Sequence, residues 1–333
     1  MDNPYEGKKI LITGGTGTIG MGLLKHLLPM NPSVIRIFSR DEYKQFEVQQ
    51  KYSMHTNIRY LIGDVRDYSR VERAMEGIDY VFHLAAMKHV PSCEYNPFEA
   101  VQTNIIGTQN IIQAALSCQV DRVLFTSTDK AVAPTNTYGA SKLTAERLIS
   151  SAEYHKGDKP TIFSSVRFGN VMGSRGSVIP LFKNVIKENE TITITDPDMI
   201  RYMMTPTQAI GLMLKALTVA RGGEVFVLKM PVVRLMDLAE IMIEEVTRKY
   251  QMESPVKIRI IGLRPGEKMY EELMTADEER NALETEGMYI IPPLYSNQSY
   301  ESHGHKIVES GLKIGNPIPK ATLRDWILSE NLI

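Results

Sequence analysis

Lys8-Lys-Ile-Leu-Ile-Thr13-Gly14-Gly-Thr-Gly17-Thr-Ile-Gly20 is an apolar run that breaks into glycines and resumes as helix-forming residues. A short apolar run bounded by glycine reads as a buried strand. Gly14, Gly17 and Gly20 then give a GxxGxxG turn that opens a helix. Glycines there allow a tight turn and close backbone approach, and the helix start presents N–H groups to a pyrophosphate. Further apolar runs follow at Val34–Phe38, Asn57–Leu61, Tyr80–Leu84, Val123–Ser127 and Thr161–Arg167, with helical segments between them that include Thr103–Ser117 and Tyr138–Ala152. That alternation predicts an α/β fold of Rossmann type, a doubly wound, open parallel sheet.

After Arg167 the regularity fades into Gly, Ser and Pro, although Gln208–Ala220 reads as a helix and Glu224–Lys229 as one more strand of the same sheet. The expected division is a dinucleotide-binding domain of residues 1–169 plus 207–230 and a smaller, discontinuous α/β substrate domain of residues 170–206 plus 231–333. In the second, Leu235–Tyr250 is amphipathic and Val256–Ile261 extended, while Ser296–His305 is polar and reads as a loop. Neither an internal repeat nor a low-complexity tract interrupts the chain.

With 333 residues, 43% apolar and 23% charged, the chain can bury a sizeable core. Its net charge of -1 provides no field that would gather nucleic acid or an anionic membrane. Small-molecule partners are therefore expected, held by local features. Cys93 and Cys118 have neither disulfide-framework nor metal spacing, so no metal is expected. The start of the chain has no apolar leader, and nowhere do about 18 apolar residues run together. A cytoplasmic protein is the expectation.

The end of the second strand selects the dinucleotide, because an acidic residue there hydrogen-bonds the adenosine ribose and excludes a phosphate. Here it reads Phe38-Ser39-Arg40-Asp41. Ser39 and Arg40 suit a 2′-phosphate, with Asp41 one step further on, which favours NADP over NAD. The alternative is that Arg40 is an ordinary exposed arginine. Thr16, Thr18 and Ile19 join the glycines as turn contacts, Asp64 and Val65 follow the third strand toward the adenine, and Ala85 and Ala86 offer small side chains beside the cofactor.

Tyr138 and Lys142 stand four apart, so they share one face of a helix. A tyrosine hydroxyl with a free pKa near ~10 needs a cation to act as a base at neutral pH. Lys142 is the expected cation, and Thr128 or Ser127 shares the substrate hydroxyl. Upstream, Asp129-Lys130 adds an acid and an amine. His83 and His89 are read as structural, and Met199, Met203 and Met204 as core packing.

GGTGTIG, the Leu84-Ala-Ala step and YGASK at Tyr138 resemble an extended short-chain dehydrogenase/reductase. Within that superfamily FSRDE at Phe38, AAMKHVP at Ala85, STDKAVAPTNTYGASK at Ser127, RFGNVMGSRGSVIP at Arg167, ITDPDMIRYMMT at Ile194 and LRPGEKMYEEL at Leu263 are similar to the inverting UDP-N-acetylglucosamine 4,6-dehydratases of the pseudaminic acid pathway. The resemblance covers nearly the whole chain. It implies NADP-dependent oxidation at sugar C4, removal of the C5 hydrogen by Lys130, protonation of the departing C6 hydroxyl by Asp129, hydride return to C6 and reprotonation of C5 from the other face. An amine base must be neutral and a carboxylic acid protonated, and one proton moved from Lys130 to Asp129 supplies both forms, an arrangement that a dry pocket favours. The resemblance also implies substrate contacts at Lys88, Asn170, Ser174, Arg175, Arg201, Arg264 and Glu267, with Lys88 near the cofactor as well, and a homo-oligomer, dimer or larger. Two alternatives stay open: release of a 5,6-unsaturated sugar nucleotide, or 5-epimerisation of a related 4-keto sugar nucleotide. A cofactor sensor without turnover would not need Tyr138 and Lys142.

Overall fold

The computed structural model describes residues 3–252, 256–263, 267–295, 304–306 and 315–333. Its strands are β1 (Lys9–Thr13), β2 (Val34–Ser39), β3 (Ile58–Ile62), β4 (Tyr80–His83), β5 (Arg122–Thr128), β6 (Ile162–Phe168), β7 (Asn170–Val171), β8 (Ile192–Ile194), β9 (Ile200–Met204), β10 (Val225–Leu228), β11 (Val232–Arg234), β12 (Ile258–Ile260), β13 (Leu283–Glu284), β14 (Met288–Ile291) and β15 (His305–Lys306). A ten-stranded sheet runs in the order β15-β13-β14-β10-β6-β5-β4-β1-β2-β3. Every neighbouring pair from β10 to β3 is parallel.

Parallel strands covered on both faces read as continuous apolar runs, and β1 shows why. Ile10 and Ile12 pack on one side with the helices Thr18–Leu27 and Pro206–Val219, while Leu11 packs on the other with Tyr68–Met75, Gly107–Ser117 and Thr137–His155. All three are fully buried. β1 lies between β2 and β4, so the strand order reverses there and leaves a crevice at the carboxyl ends. The fold is the expected Rossmann type.

The second lobe holds a three-stranded sheet, β11-β9-β7, and a two-stranded one, β12-β8. Helices Val178–Lys187, Leu235–Tyr250 and Lys320–Ser329 close its core through Phe182, Ile186, Leu238, Met242, Leu323 and Ile327. Part of the segment expected in the substrate domain lies elsewhere, because β13, β14 and β15 return to the first sheet. β14 pairs antiparallel with β10 and buries Met288, Ile290 and Ile291, which covers an edge that would otherwise show unpaired backbone groups. β15 begins at His305, the last residue of the stretch expected to be a loop. These strands are short and antiparallel and lack the strand-helix alternation that marks the others. No described helix is long and apolar enough to cross a membrane.

Arg167, on β6, is 1% exposed and holds the returning segment down. Its guanidinium donates to Glu146 at 2.7 and 3.0 Å, to Glu278 at 2.7 and 2.8 Å and to the Leu273 carbonyl at 3.2 Å. Glu278 also closes a capping box with Thr275 at the start of Ala276–Asn281. Burial pulls the Glu278 carboxyl up, but the Arg167 hydrogen bonds and charge outweigh it and hold the group at about 2. Its contribution to stability is thus present above the ordinary carboxylate range and is lost as pH falls toward 2. Arg167→Leu strands two buried carboxylates and is expected to cost about 3–5 kcal/mol at pH 7. Urea unfolding measures this, and the gap from wild type is expected to narrow as acid protonates the two carboxyls; an unchanged midpoint at pH 7 would refute the clamp.

Candidate active site

Beyond the carboxyl ends of the parallel strands lies a cleft of about 1010 Å³ that runs from the glycine turn to β7. One half has the form of a dinucleotide cradle. Gly14 has φ +67, and a Cβ there would stand 2.9 Å from the Ala85 backbone nitrogen, so only glycine lets the turn lean on the loop after β4. Gly17 caps Thr18–Leu27 without a side-chain hydrogen bond, which leaves the first N–H groups of the helix to a phosphate. Thr16, Thr18, Ile19, Gly20, Val65, Ala85 and Ala86 all line this half.

At the end of β2, Ser39 is buried and its Oγ accepts from Gln45 Nε2 at 3.1 Å. Arg40 is 59% exposed and lies 3.5 Å from Asp64, which also pairs with Arg66 at 2.8 Å. Asp41 caps the next helix through the Lys44 amide at 3.0 Å, and Lys44 and Arg175 are among the cations that lower its pKa, the Lys44 hydrogen bonds most of all. Arg175 is displaced from the expected sugar end. It donates to the Thr16 carbonyl at 2.8 Å, and its amide donates to Thr18 Oγ1 at 3.2 Å. Tertiary folding therefore gathers Arg40, Lys44 and Arg175 at one end of the cleft, beside the glycine turn. The uncapped helix start and these cations fit a dinucleotide that carries an extra phosphate.

The other half is built on the turn after β5. Thr128 ends the strand, and its Oγ1 donates to Asp129 Oδ1 at 2.9 Å. Lys130 Nζ donates to Asp129 Oδ1 at 3.0 Å and to Asn170 Oδ1 at 3.3 Å, so β7 reaches across to the turn after β5. Asp129 is 1% exposed, and among the described residues its Oδ2 finds no hydrogen-bond partner. Asn136 caps the helix Thr137–His155 and turns Tyr138 toward Thr128 and Lys130.

The protonation pattern differs from expectation in two ways. Burial pulls the Lys130 ammonium down, but Asp129, Glu271 and Tyr138 more than offset it and leave its pKa raised. That direction runs against the expected neutral pair, because Lys130 faces two carboxyls, Glu271 being 3.8 Å away. Burial raises the Tyr138 pKa, and the charge that opposes it most is Lys130, in place of the expected Lys142. Lys142 is 3% exposed, 4.0 Å over the Phe125 ring, and burial brings its pKa down to about 7 against the pull of Glu146.

Lys88, Asn170 and Ser174 line the cleft. Partial desolvation and then the Arg175 charge lower the Lys88 pKa. Arg201 does not line it. Its guanidinium, largely buried, donates to the carbonyls of Ile200, Lys268 and Met269 at 2.8, 2.8 and 2.9 Å and lies 3.7 Å from Glu267. It is a strut, because the backbone takes the donors expected for a diphosphate. Arg264 lies outside the described residues. His83 bridges Thr13 and Thr108 at 2.8 and 3.1 Å, with burial pushing its pKa down to about 3. Among the described residues no cluster is arranged to hold a metal.

Sequence reasoning missed Lys44, Glu271 and Asn104. Asn104, buried, accepts from the Met87 amide at 2.8 Å and donates to its carbonyl at 3.0 Å, holding the loop that carries Lys88. Glu271 lies inside the LRPGEKMYEEL stretch, but only docking against β5 distinguishes it from Glu272.

The family model described as polysaccharide biosynthesis protein matches residues 10–293. The UDP-N-acetylglucosamine 4,6-dehydratase (inverting) of Campylobacter jejuni is 42% identical over 291 residues, 87% of this chain and 84% of that protein. A UDP-glucose 4-epimerase of Rickettsia bellii is 44% identical over 293 residues, 86% and 84% of the two. The X-ray structure of Pen from Bacillus thuringiensis is 56% identical, with a TM-score of 0.93 over 99% of both chains. The chain belongs to the polysaccharide biosynthesis protein family, which is of the short-chain dehydrogenase/reductase type.

One close approach sets the geometry of the turn: a Cβ on Gly139 would stand 2.2 Å from the Lys130 carbonyl oxygen. Gly139→Ala is expected to push the helix start away from the turn and lower kcat about 100-fold, the cost of a displacement near 1 Å. Dinucleotide affinity, set by the distant glycine turn, is expected to stay within a few-fold; steady-state kinetics and a binding titration check both.

Proposed function

We propose that this chain is an NADP-dependent nucleotide-sugar 4,6-dehydratase that inverts C5, converting UDP-N-acetylglucosamine to UDP-2-acetamido-2,6-dideoxy-β-L-arabino-hex-4-ulose. The observation that carries the reading is the contact of Lys130 Nζ with Asp129 Oδ1 at 3.0 Å beside Tyr138. A 4-epimerase works at one carbon and needs one acid-base group there. A buried acid and amine next to the tyrosine are equipment for a neighbouring carbon.

Each residue has a role in the reading. The glycine turn with Thr16, Thr18 and Ile19 holds the pyrophosphate, Ser39, Arg40, Lys44 and Arg175 the 2′-phosphate, and Asp64 and Val65 the adenine side. NADP, when bound, supplies the hydride acceptor at C4 and the donor at C6. Tyr138 takes the proton of the C4 hydroxyl, with Thr128 hydrogen-bonded to it and Lys142 beneath. Lys130, as the neutral amine, takes the C5 hydrogen that the C4 ketone acidifies. Asp129, protonated, gives its proton from the unpartnered Oδ2 to the departing C6 hydroxyl. Lys88, Asn170 and Ser174 receive the sugar nucleotide. A cytoplasmic homo-oligomer belongs to the same reading, and exposed Tyr95 and Phe98, 88% and 67% accessible, offer apolar surface to a second copy.

Incubation with UDP-N-acetylglucosamine in deuterated water, followed by NMR, tests the whole reading. A C6 methyl signal with deuterium at C5 is expected; a vinylic signal would mean release of the 5,6-unsaturated sugar, and a C4 epimer alone would refute dehydration. Lys130→Ala is expected to abolish C5 exchange and keep dinucleotide binding, and Tyr138→Phe to block the first oxidation, each lowering turnover at least about 100-fold. Arg40→Ala is expected to weaken NADP binding about tenfold and leave NAD unchanged, the loss of one charge-assisted phosphate contact; equal effects on both would refute the NADP assignment.

A further inference from the structure

Residues 267–273 form neither helix nor strand, yet they are tied to the catalytic turn on several sides. Lys268 Nζ donates to the carbonyls of Val132 and Ala133 at 3.3 and 2.9 Å. Arg201 donates to the carbonyls of Lys268 and Met269, and Arg167 to that of Leu273. The tied segment carries Glu271 inward, 6% exposed, with Oε1 3.8 Å from Lys130 Nζ. The chemistry above has no task for this carboxyl: Tyr138 serves C4, Lys130 serves C5 and Asp129 serves the C6 hydroxyl. A carboxylate is rarely buried at this depth without a counter-charge, and Lys130 is the amine nearest to it.

We propose that Glu271 is a positioning residue for Lys130, holding the amine in the pocket and strengthening it as a base through the carboxylate charge. The inference rests on the reading of Lys130 as the C5 base. Lys130 is faced by Asp129 from its own turn, Tyr138 from the helix Thr137–His155, Asn170 from β7 and Glu271 from the tied segment. Glu271 in turn faces Lys130, Asp129, Arg201 and Lys268. When Lys130 takes the C5 hydrogen as a proton, the C–H electron pair passes into the C4 carbonyl to give the enolate, and the new ammonium meets a carboxylate already in place. Burial and then Asp129 raise the Glu271 pKa against the cations around it, so this carboxyl, too, depends on Lys130 for its charged form.

The sign of the effect follows from charge. Removing Glu271's negative charge lowers the proton affinity of Lys130, so its titration moves to lower pH. The test is competitive acetylation of the full chain with acetic anhydride across pH, with modification at Lys130 read by peptide mass spectrometry against exposed Lys25 in wild type, Glu271→Gln and Glu271→Asp. The Lys130 midpoint is expected to fall by about one pH unit or more in Glu271→Gln, about tenfold in proton affinity, and by less in Glu271→Asp, which keeps the charge. The rising limb of the kcat profile is expected to move the same way, a shift that a merely structural loss would not produce. An unmoved Lys130 midpoint in Glu271→Gln, or in Glu271→Ala should the first variant not fold, overturns the proposal. Labelling needs no turnover, so a wild type that forms no dehydrated product would overturn the proposed function while this measurement still stands by itself.

Discussion

The contact of the Gly139 backbone with the carbonyl of Lys130 is the constraint on which the candidate site depends. A helix start carrying Tyr138 and a strand-end turn carrying Asp129 and Lys130 occupy nearly the same space, and only a residue without a Cβ lets them meet. Thr128 then bridges the two, hydrogen-bonded to Tyr138 and to Asp129. Thr128, Lys130 and Tyr138 are thereby brought to the wall of one cleft, with Asp129 buried directly behind Lys130, and rigid elements hold such positions more closely than loops do.

Burial makes that pocket demanding, because an isolated charge in a dry interior is costly. The chain meets the demand differently at each cation. Lys130 has two carboxyls, Asp129 and Glu271, which raise its pKa against the pull of burial. Arg167 has two, Glu146 and Glu278, and clamps the returning segment to the sheet. Lys142 has the Phe125 ring and the more distant Glu146, and its pKa drops to about 7. Glu146 thus pairs with Arg167 in the clamp and also acts on the charge of Lys142.

The dinucleotide half of the cleft illustrates the same economy of contacts. Arg175 comes from the loop after β7, yet it bonds to the glycine turn after β1 and acts on Asp41 after β2. Two lobes therefore share this end of the cleft, and a direct hydrogen bond joins the second lobe to the glycine turn. Arg201, by contrast, is consumed inside its own lobe, holding the segment that carries Glu271.

Local sequence determined the parallel sheet, the glycine turn, the Tyr138–Lys142 helix face and the Asp129–Lys130 step, because apolar runs, turn residues and helical spacing act over a few neighbours. The strands β13 to β15 were not legible, since short antiparallel pieces have no periodic signature and their place depends on the open edge of β10. Only the tertiary structure decided which charges meet. Arg175 and Arg201 are the same residue type, one in a Gly/Ser loop and one on β9, and packing sends the first to the glycine turn and the second to a backbone strut. Glu271 and Glu272 are adjacent in sequence, and the docking of residues 267–273 buries the first beside Lys130. Charge pairing over more than a hundred residues of separation is a property of the folded surface, and no local pattern encodes it.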